Sequence, residues 1–359
     1  MQGQRCLRCG FTLFELLVSI TIIVLLLSLI APAIQNAREV ARRLQCANRL
    51  RNVGVAISGW SDSRRRFPAA ASMSIGGDKE HPAPNHNWVV EILPFLDRQD
   101  LGDRWDKNEP AFSAGNEGLA SSYLSVLVCP SDFTVRKKGD LSFAVNGGIG
   151  ESVYYTGIHD FPVDPFYHAL DLNGNGVLSP ATGIGDGKPS DRELLKSMGM
   201  FFTENYGFSD SEGYQGTVRH HTPATIYDGM SNTLMVTENV RTGFDPYEPS
   251  ANWATTDTRR SRVYFSYRVC GGNVCSPVNV DYSKANSGDH AINAALSQPE
   301  GEAPWPSSGH SGGINAVFAD GHLTFMDEGI DGLVYASLFS PDGRKLIGLP
   351  LDQGVQQGF

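Results

Sequence analysis

FTLFELLVSITIIVLLLSLIAPAI (Phe11–Ile34) decides the fold of this chain, because Glu15 is the only charge in its 24 residues. At about 1.5 Å of rise per residue, a helix of that length crosses a hydrocarbon layer of about 30 Å. A short basic stretch, RCLRCG (Arg5–Gly10), precedes it. A cleaved secretory signal is the competing reading, since Ala31-Pro32-Ala33 offers small residues at a cleavage position. The apolar run is longer than the core of such signals, which favours a span that stays in the membrane.

The helical pattern continues past the apolar run. Ile34, Ala37, Val40, Ala41, Leu44, Ala47, Leu50, Val53, Gly54 and Ile57 recur at spacings of three and four, with arginines, Gln45 and Asn48 between them. That is an amphipathic stripe, so one helix over 11–60 is expected to be half in lipid and half packed on a body. Pro32 lies within it, where a missing N–H should bend or loosen the helix.

A lone carboxylate inside a membrane segment is costly and points to a partner and a function. If a peptidase cuts after Gly10, Phe11 gains a free α-amino group four residues from Glu15. In a stack of such helices, Glu15 of one subunit could neutralise the amine of its neighbour. The basic leader, the glycine, the phenylalanine and the glutamate five residues after that glycine resemble the type IV prepilin signal. The resemblance covers Met1 to about Trp60. It implies a leader over 1–10, cleavage after Gly10 by prepilin peptidase, methylation of the Phe11 amine, and assembly with other pilin-like subunits through Phe11, Glu15 and Pro32. It also implies a single-pass protein of the inner membrane, with lipid around the span and the head in the periplasm or at the cell surface. The positive-inside count alone, with two arginines before the span and at least three soon after it, would leave the body in the cytoplasm. The leader motif overrides it, because the prepilin peptidase acts on the cytoplasmic side.

The body is acidic. The formal charge is −10, and losing Arg5 and Arg8 with the leader leaves 27 basic against 39 acidic residues, a net −12. Phosphate contacts need clustered Lys and Arg, so nucleic acid is disfavoured as a partner. Beyond Trp60 the pattern turns to short strands and turns. SDSRRRFPAA (Ser61–Ala70) is a polar exit from the helix, and WVVEILPFLDRQDL (Trp88–Leu101) reads as a short helix interrupted by Pro94. Strands are expected at Tyr123–Cys129, Ser142–Val145, Thr233–Val240 and Arg262–Val269. GINAVFADGHLTFM predicts a hairpin of Ile314–Ala319 and His322–Met326 around Asp320-Gly321, a pair suited to a type I′ turn. The expected class is α+β and pilin-like: a long N-terminal helix packed on a mainly antiparallel β-sheet head over 61–359, with long loops. The stretch 150–216 reads as a loop-rich insertion.

CANRLRNVGVAI, VCPSD, YDGMSNT and HSGGINAVFADG together resemble a second family, large pilin-like proteins abundant in planctomycete-type bacteria. Its C-terminal mark is a histidine, nine residues, then Asp-Gly, here His310, Asp320 and Gly321. That resemblance runs from Gly10 to about Met326, and the family has no established activity.

Candidate chemistry is sparse. His310 and Asp320 read as a structural pair fixing the hairpin, because one histidine and a turn aspartate make an incomplete ligand set. His220-His221 lacks a third ligand, and Ser311 lacks a nucleophile elbow, so the chain reads as a non-enzyme. In DLNGNGVLSPAT (Asp171–Thr182), Asp171, Asn173, Asn175, Gly176 and the Val177 carbonyl repeat the first half of an EF-hand calcium loop. The twelfth position is Thr182, so Asp186, Asp191 or Glu193 would have to complete it. An Asx-rich turn fits the same composition. Cys6 and Cys9 form an isolated C-x-x-C. Cys270 with Cys275, and Cys46 with Cys129, are the disulfide candidates, the latter tying helix to head. The preferred reading is a pilin-like or pseudopilin-like structural subunit (type II secretion-like) whose head serves assembly or contact. The alternative is an anchored extracytoplasmic binding protein for a glycan, peptide or solute.

Overall fold

In a computed structural model the described residues are 12–74, 86–109, 111, 113–149, 169–170, 174, 194, 196–206, 220–240, 242, 252–255, 261–271, 274–275, 277–299 and 303–346. The chain divides into two units, Met1–Leu44 and Gln45–Phe359. Helix α1 spans Leu13–Arg64 without interruption, 52 residues, with Pro32 inside it. At about 1.5 Å per residue it is about 78 Å long. Its first part is membrane-like: no residue of its most apolar 18-residue window is buried.

The stripe read from the sequence divides at residue 45. Ile34, Ala37, Val40, Ala41 and Leu44 are exposed, whereas Cys46, Leu50, Val53, Gly54, Ile57 and Trp60 are buried. The expected packing therefore begins at Cys46, not at Ile34. Three- and four-residue spacing reports that a stripe exists, but not what covers it.

The head is α+β. Its main sheet joins β3 (Phe143–Ile149), β6 (Leu234–Glu238), β7 (Arg262–Phe265), β9 (Gly313–Phe318) and β10 (Leu323–Asp327) in the order β10-β9-β6-β3-β7. Three of its pairings are antiparallel, and β3–β7 is parallel. A second sheet has β1 (Ala71–Ser74) between β2 (His86–Asn87) and β5 (Thr203–Tyr206), and β4 (Ala169–Leu170) pairs with β8 (Val274–Cys275). The short helices are α2 (Trp88–Ile92), α3 (Gln99–Gly102), α4 (Glu117–Ala120) and α5 (Gly332–Phe339). Along β9 the side chains alternate: Val317 joins the core that holds Cys46 to Trp60 of α1, while Ile314, Ala316 and Phe318 join the core holding Tyr335 and Phe339 of α5. Both faces of the main sheet are therefore covered by helix, which explains why β3, β6 and β9 are buried along their whole length.

Three local expectations change. Tyr123–Cys129 is not a strand but contains a 3₁₀ turn, Ser125–Leu127. Arg262–Val269 is strand only to Phe265, after which Ser266 accepts the Arg268 N–H and starts a 3₁₀ turn, Tyr267–Cys270. The terminal hairpin is in the expected place, yet its turn is not type I′. Gly321 N–H donates to Phe318 O and Phe318 N–H to His322 O, and the positive φ, +86°, belongs to Gly321 and not to Asp320. This is the three-residue loop in which a type I turn is followed by a left-handed glycine. In Trp88–Leu101, Pro94 opens a 3₁₀ turn (Leu93–Leu96) directly after α2, and Asn87 caps α2 by accepting the Val89 and Val90 N–H groups.

Gly54 lets α1 approach the sheet. A β-carbon there would stand 2.6 Å from Val317 Cγ1 and 3.5 Å from Met235 Cε. Gly54→Leu is expected to cost about 3 kcal/mol, because overpacking outweighs a gain of about 1 kcal/mol in helix propensity. Gly118, in α4 with nothing within 4 Å of the added atom, should by contrast accept alanine without loss. Denaturant unfolding of both variants checks the contrast.

Candidate functional site

The processing segment lies at the start of α1. Gly10 and Phe11 fall outside the described residues, and the adjoining residues are clear. Glu15 Oε2 accepts the Thr12 N–H (3.0 Å) and the Thr12 hydroxyl (2.8 Å), while Glu15 N–H donates to Thr12 Oγ1 at 3.3 Å. Thr12 and Glu15 thus form a reciprocal capping box, with the carboxylate three residues into the helix. The T-x-x-E spacing is present in the sequence and gives Glu15 a local capping role. A carboxylate in the first turn also suits the positive end of the helix dipole.

A second constellation lies where α1 enters the head. Cys46 on α1 and Cys129 form a disulfide, with Cα atoms 4.8 Å apart and a sequence separation of 83. The Arg49 guanidinium, one turn further along α1, donates to the Val128 carbonyl at 2.7 Å and holds the same loop. His310 Nε2 lies 3.6 Å from Cys129 Sγ and 3.3 Å from Glu238 Oε1. Glu238, at the end of β6, is held from β9: Asn315 N–H donates to Oε2 at 2.7 Å and Asn315 Nδ2 to Oε1 at 3.0 Å. The His310 N–H donates to Ser308 Oγ. Cys46, Cys129, Glu238 and His310 are all buried, and their donor atoms lie within 4.8 Å of one another. Three strings that are far apart in sequence, CANRLRNVGVAI, VCPSD and HSGGINAVFADG, each place one residue here.

The placement sets the two ends of the H-x9-DG stretch in different surroundings. His310 faces Glu238 and the disulfide, whereas Asp320 sits in the hairpin turn and takes the His322 N–H (3.0 Å) and His322 Nδ1 (2.6 Å). A sequence interval of nine places His310 before β9 and Asp320 after it, so the strand length separates them. Glu238 escaped the sequence reading because a glutamate ending an apolar strand carries no local signal.

The other motif residues build the frame. Asp132 of VCPSD accepts Ser142 Oγ, Thr134 N–H and Thr134 Oγ1, and burial pushes its carboxyl up to about 6 despite those bonds. Asp228 of YDGMSNT accepts the Gly343 N–H at 2.6 Å, tying the approach to β6 to the segment after α5. His221 has Nε2 at 3.0 Å from the Lys196 carbonyl and Nδ1 at 3.1 Å from Thr225 Oγ1, and burial lowers its pKa to about 4. It serves as a neutral packing group. Cys270 is disulfide-bonded, and the side chain of Cys275 lies outside the described residues. The candidate calcium residues Asp171, Asn173, Asn175, Gly176 and Val177 also lie outside them, and only the exposed Gly174, with φ +68°, is described in that loop.

Glu91 ties the end of α1 to the head: its Oε2 accepts Trp60 Nε1–H at 3.0 Å, and its Oε1 accepts Lys107 Nζ at 3.1 Å and lies against His86 Nε2. Burial opposes its ionisation, but His86 first and Lys107 second overcome burial and pull its pKa from 4.5 to about 2. A depressed carboxylate contributes stability that is fully present above the unfolded pKa and lost as pH falls through the folded one. Glu91→Gln is therefore expected to cost about 2–3 kcal/mol at neutral pH. Unfolding curves of variant and parent should draw together between pH 4.5 and about 2.

Comparison with known proteins places the chain in two steps. Residues 5–31 match the model of the prokaryotic N-terminal methylation motif. That motif takes in the start of the apolar helix and makes the N-terminus type IV prepilin-like, of the kind processed by prepilin peptidase. Residues 35–333 match the model described as a protein of unknown function, DUF1559, and the chain belongs to that family. No curated protein and no solved structure matches it.

Proposed function

We propose that this protein is a structural subunit of a pilin-like or pseudopilin-like assembly, and not an enzyme. Prepilin peptidase removes Met1–Gly10, the exposed apolar part of α1 holds the chain in the inner membrane, and the acidic head works outside by contact with other subunits. The observation that supports this most is the fully exposed apolar length of α1 beginning at a capped Glu15, behind a methylation motif. An unpartnered helix of that kind can be covered by lipid before assembly and by neighbouring copies after it. In the assembled state, Glu15 leaves part of its Thr12 cap to meet the Phe11 amine of the next subunit.

Glu15→Ala tests this. Insertion should be unchanged, since the substitution removes a charge from the span. Crosslinked oligomers in the membrane and filaments in the extract should fall at least tenfold. Oligomers at the parental level would remove the assembly role. A saturable ligand isotherm on such a monomeric chain would point instead to an anchored binding protein.

A further inference from the structure

We infer that the buried Cys46, Cys129, Glu238 and His310 form a tetrahedral site for a zinc-like divalent ion whenever the two cysteines are present as thiols. The geometry carries this. A tetrahedral zinc with bonds of about 2.0–2.2 Å to nitrogen and oxygen and about 2.3 Å to sulfur sets its N and O ligands about 3.4 Å apart, and its N and S ligands about 3.6 Å apart. His310 Nε2 stands 3.3 Å from Glu238 Oε1 and 3.6 Å from Cys129 Sγ. Two edges of the tetrahedron are therefore already set while the disulfide is closed. Opening the disulfide must then separate the two sulfurs from bonded distance to about 3.8 Å, the S–S edge of the same tetrahedron, and the other three edges close from a cluster whose four donor atoms already lie within 4.8 Å of one another.

The donor set is chemically suited to such an ion. Two thiolates, one imidazole and one carboxylate select a borderline-soft metal over calcium or magnesium. Asn315 already fixes both oxygens of Glu238, which is the outer-shell support that orients a metal-binding carboxylate. All four donors are buried, so the site closes around the ion and leaves no open position for a substrate. It is a structural site. Its ligands come from α1, from the segment of Cys129, from β6 and from the loop before β9, so the ion would fasten the helix to the head as the disulfide does.

The two states exchange by a balanced step. An external dithiol reduces the Cys46–Cys129 bond, becomes a disulfide itself, and its two protons pass to the two cysteine sulfurs. The divalent ion then binds and releases those two protons to solvent. The same four side chains therefore hold a disulfide in oxidising surroundings and a metal in reducing ones.

The test uses the full chain in detergent, reduced anaerobically with dithiothreitol, desalted and incubated with zinc chloride. One zinc per chain is expected after reduction and none before it, with an X-ray absorption shell of two sulfurs and two nitrogen or oxygen atoms. His310→Ala and Cys129→Ser should each weaken binding at least tenfold. Asp320→Ala should leave binding unchanged, as should Cys6→Ser with Cys9→Ser. Absence of zinc from a reduced, folded chain would overturn the proposal, as would zinc that is lost with Cys6 and Cys9. If reduction alone unfolds the head, zinc added during reduction should preserve the cooperative thermal transition. A transition lost equally with and without zinc would also overturn it.

Discussion

A Gly10→Val chain is expected to keep its leader completely, with Met1–Gly10 still attached, while the parent begins at methylated Phe11. The methylation motif spans residues 5–31 and so includes the Gly10-Phe11 junction. Prepilin peptidase, as the resemblance implies, accepts a small residue before the cut, and valine puts a three-carbon branched side chain in place of a hydrogen. Intact mass and N-terminal peptide mapping of membrane-extracted protein read the result directly. Isoelectric focusing gives a second readout, because the uncut chain keeps Arg5 and Arg8 and carries a formal −10 instead of −12. An uncut chain also keeps its terminal amine at Met1, ten residues from Phe11, so the charge that would meet a neighbouring Glu15 is absent. The variant should therefore insert and fail to assemble. A parent chain beginning at Met1 or near Gln35, or a variant beginning at Phe11, would refute this processing.

Cys129→Ser is expected to cost about 4 kcal/mol, which is large for one atom. Closing a loop across the observed separation of 83 residues removes chain entropy worth about 4–5 kcal/mol from the unfolded state. The bond also joins α1 to the body within the unit Gln45–Phe359, so its loss should loosen the buried helix face before the sheet. Denaturant unfolding of the oxidised chain should show a lower midpoint with a steeper slope, because the unfolded chain without the cross-link exposes more surface. The Cys46→Ser/Cys129→Ser pair should cost no more than the single variant, because both substitutions remove the same link. A loss below about 1 kcal/mol would mean that packing alone holds the helix.

Much of this fold is legible along the chain. The apolar run from Phe11 to Ile34 needs no tertiary information, since its length and its single charge, Glu15, already mark it as a candidate span. Strands β6 and β9 lie close to where their branched and apolar residues place them, and Asp320-Gly321 marks the hairpin. The type of that turn was not legible, because Asp-Gly suits two loop geometries and the φ sign at Asp320 depends on how β9 and β10 pair. Tyr123–Cys129 misled for a related reason. An apolar run of that length looks like a buried strand, but here its side chains line the core from a 3₁₀ turn.

The sequence by itself determined the long apolar N-terminal helix, the prepilin-type methylation motif, the α+β class and the acidic character of the body. The motif rests on resemblance to known prepilins, and the others follow from local periodicity, alternation or net charge, quantities that neighbouring residues define among themselves. Only the tertiary structure decided where the amphipathic stripe becomes buried, at Cys46 and not at Ile34, since burial depends on what lies opposite the helix. It alone also brought Glu238 beside His310 and the Cys46–Cys129 bond. Those four residues come from four distant segments, and their meeting depends on the order of strands in the sheet and the approach of α1 at Gly54. No spacing along the chain encodes such a meeting, because the distances that define it run across the fold.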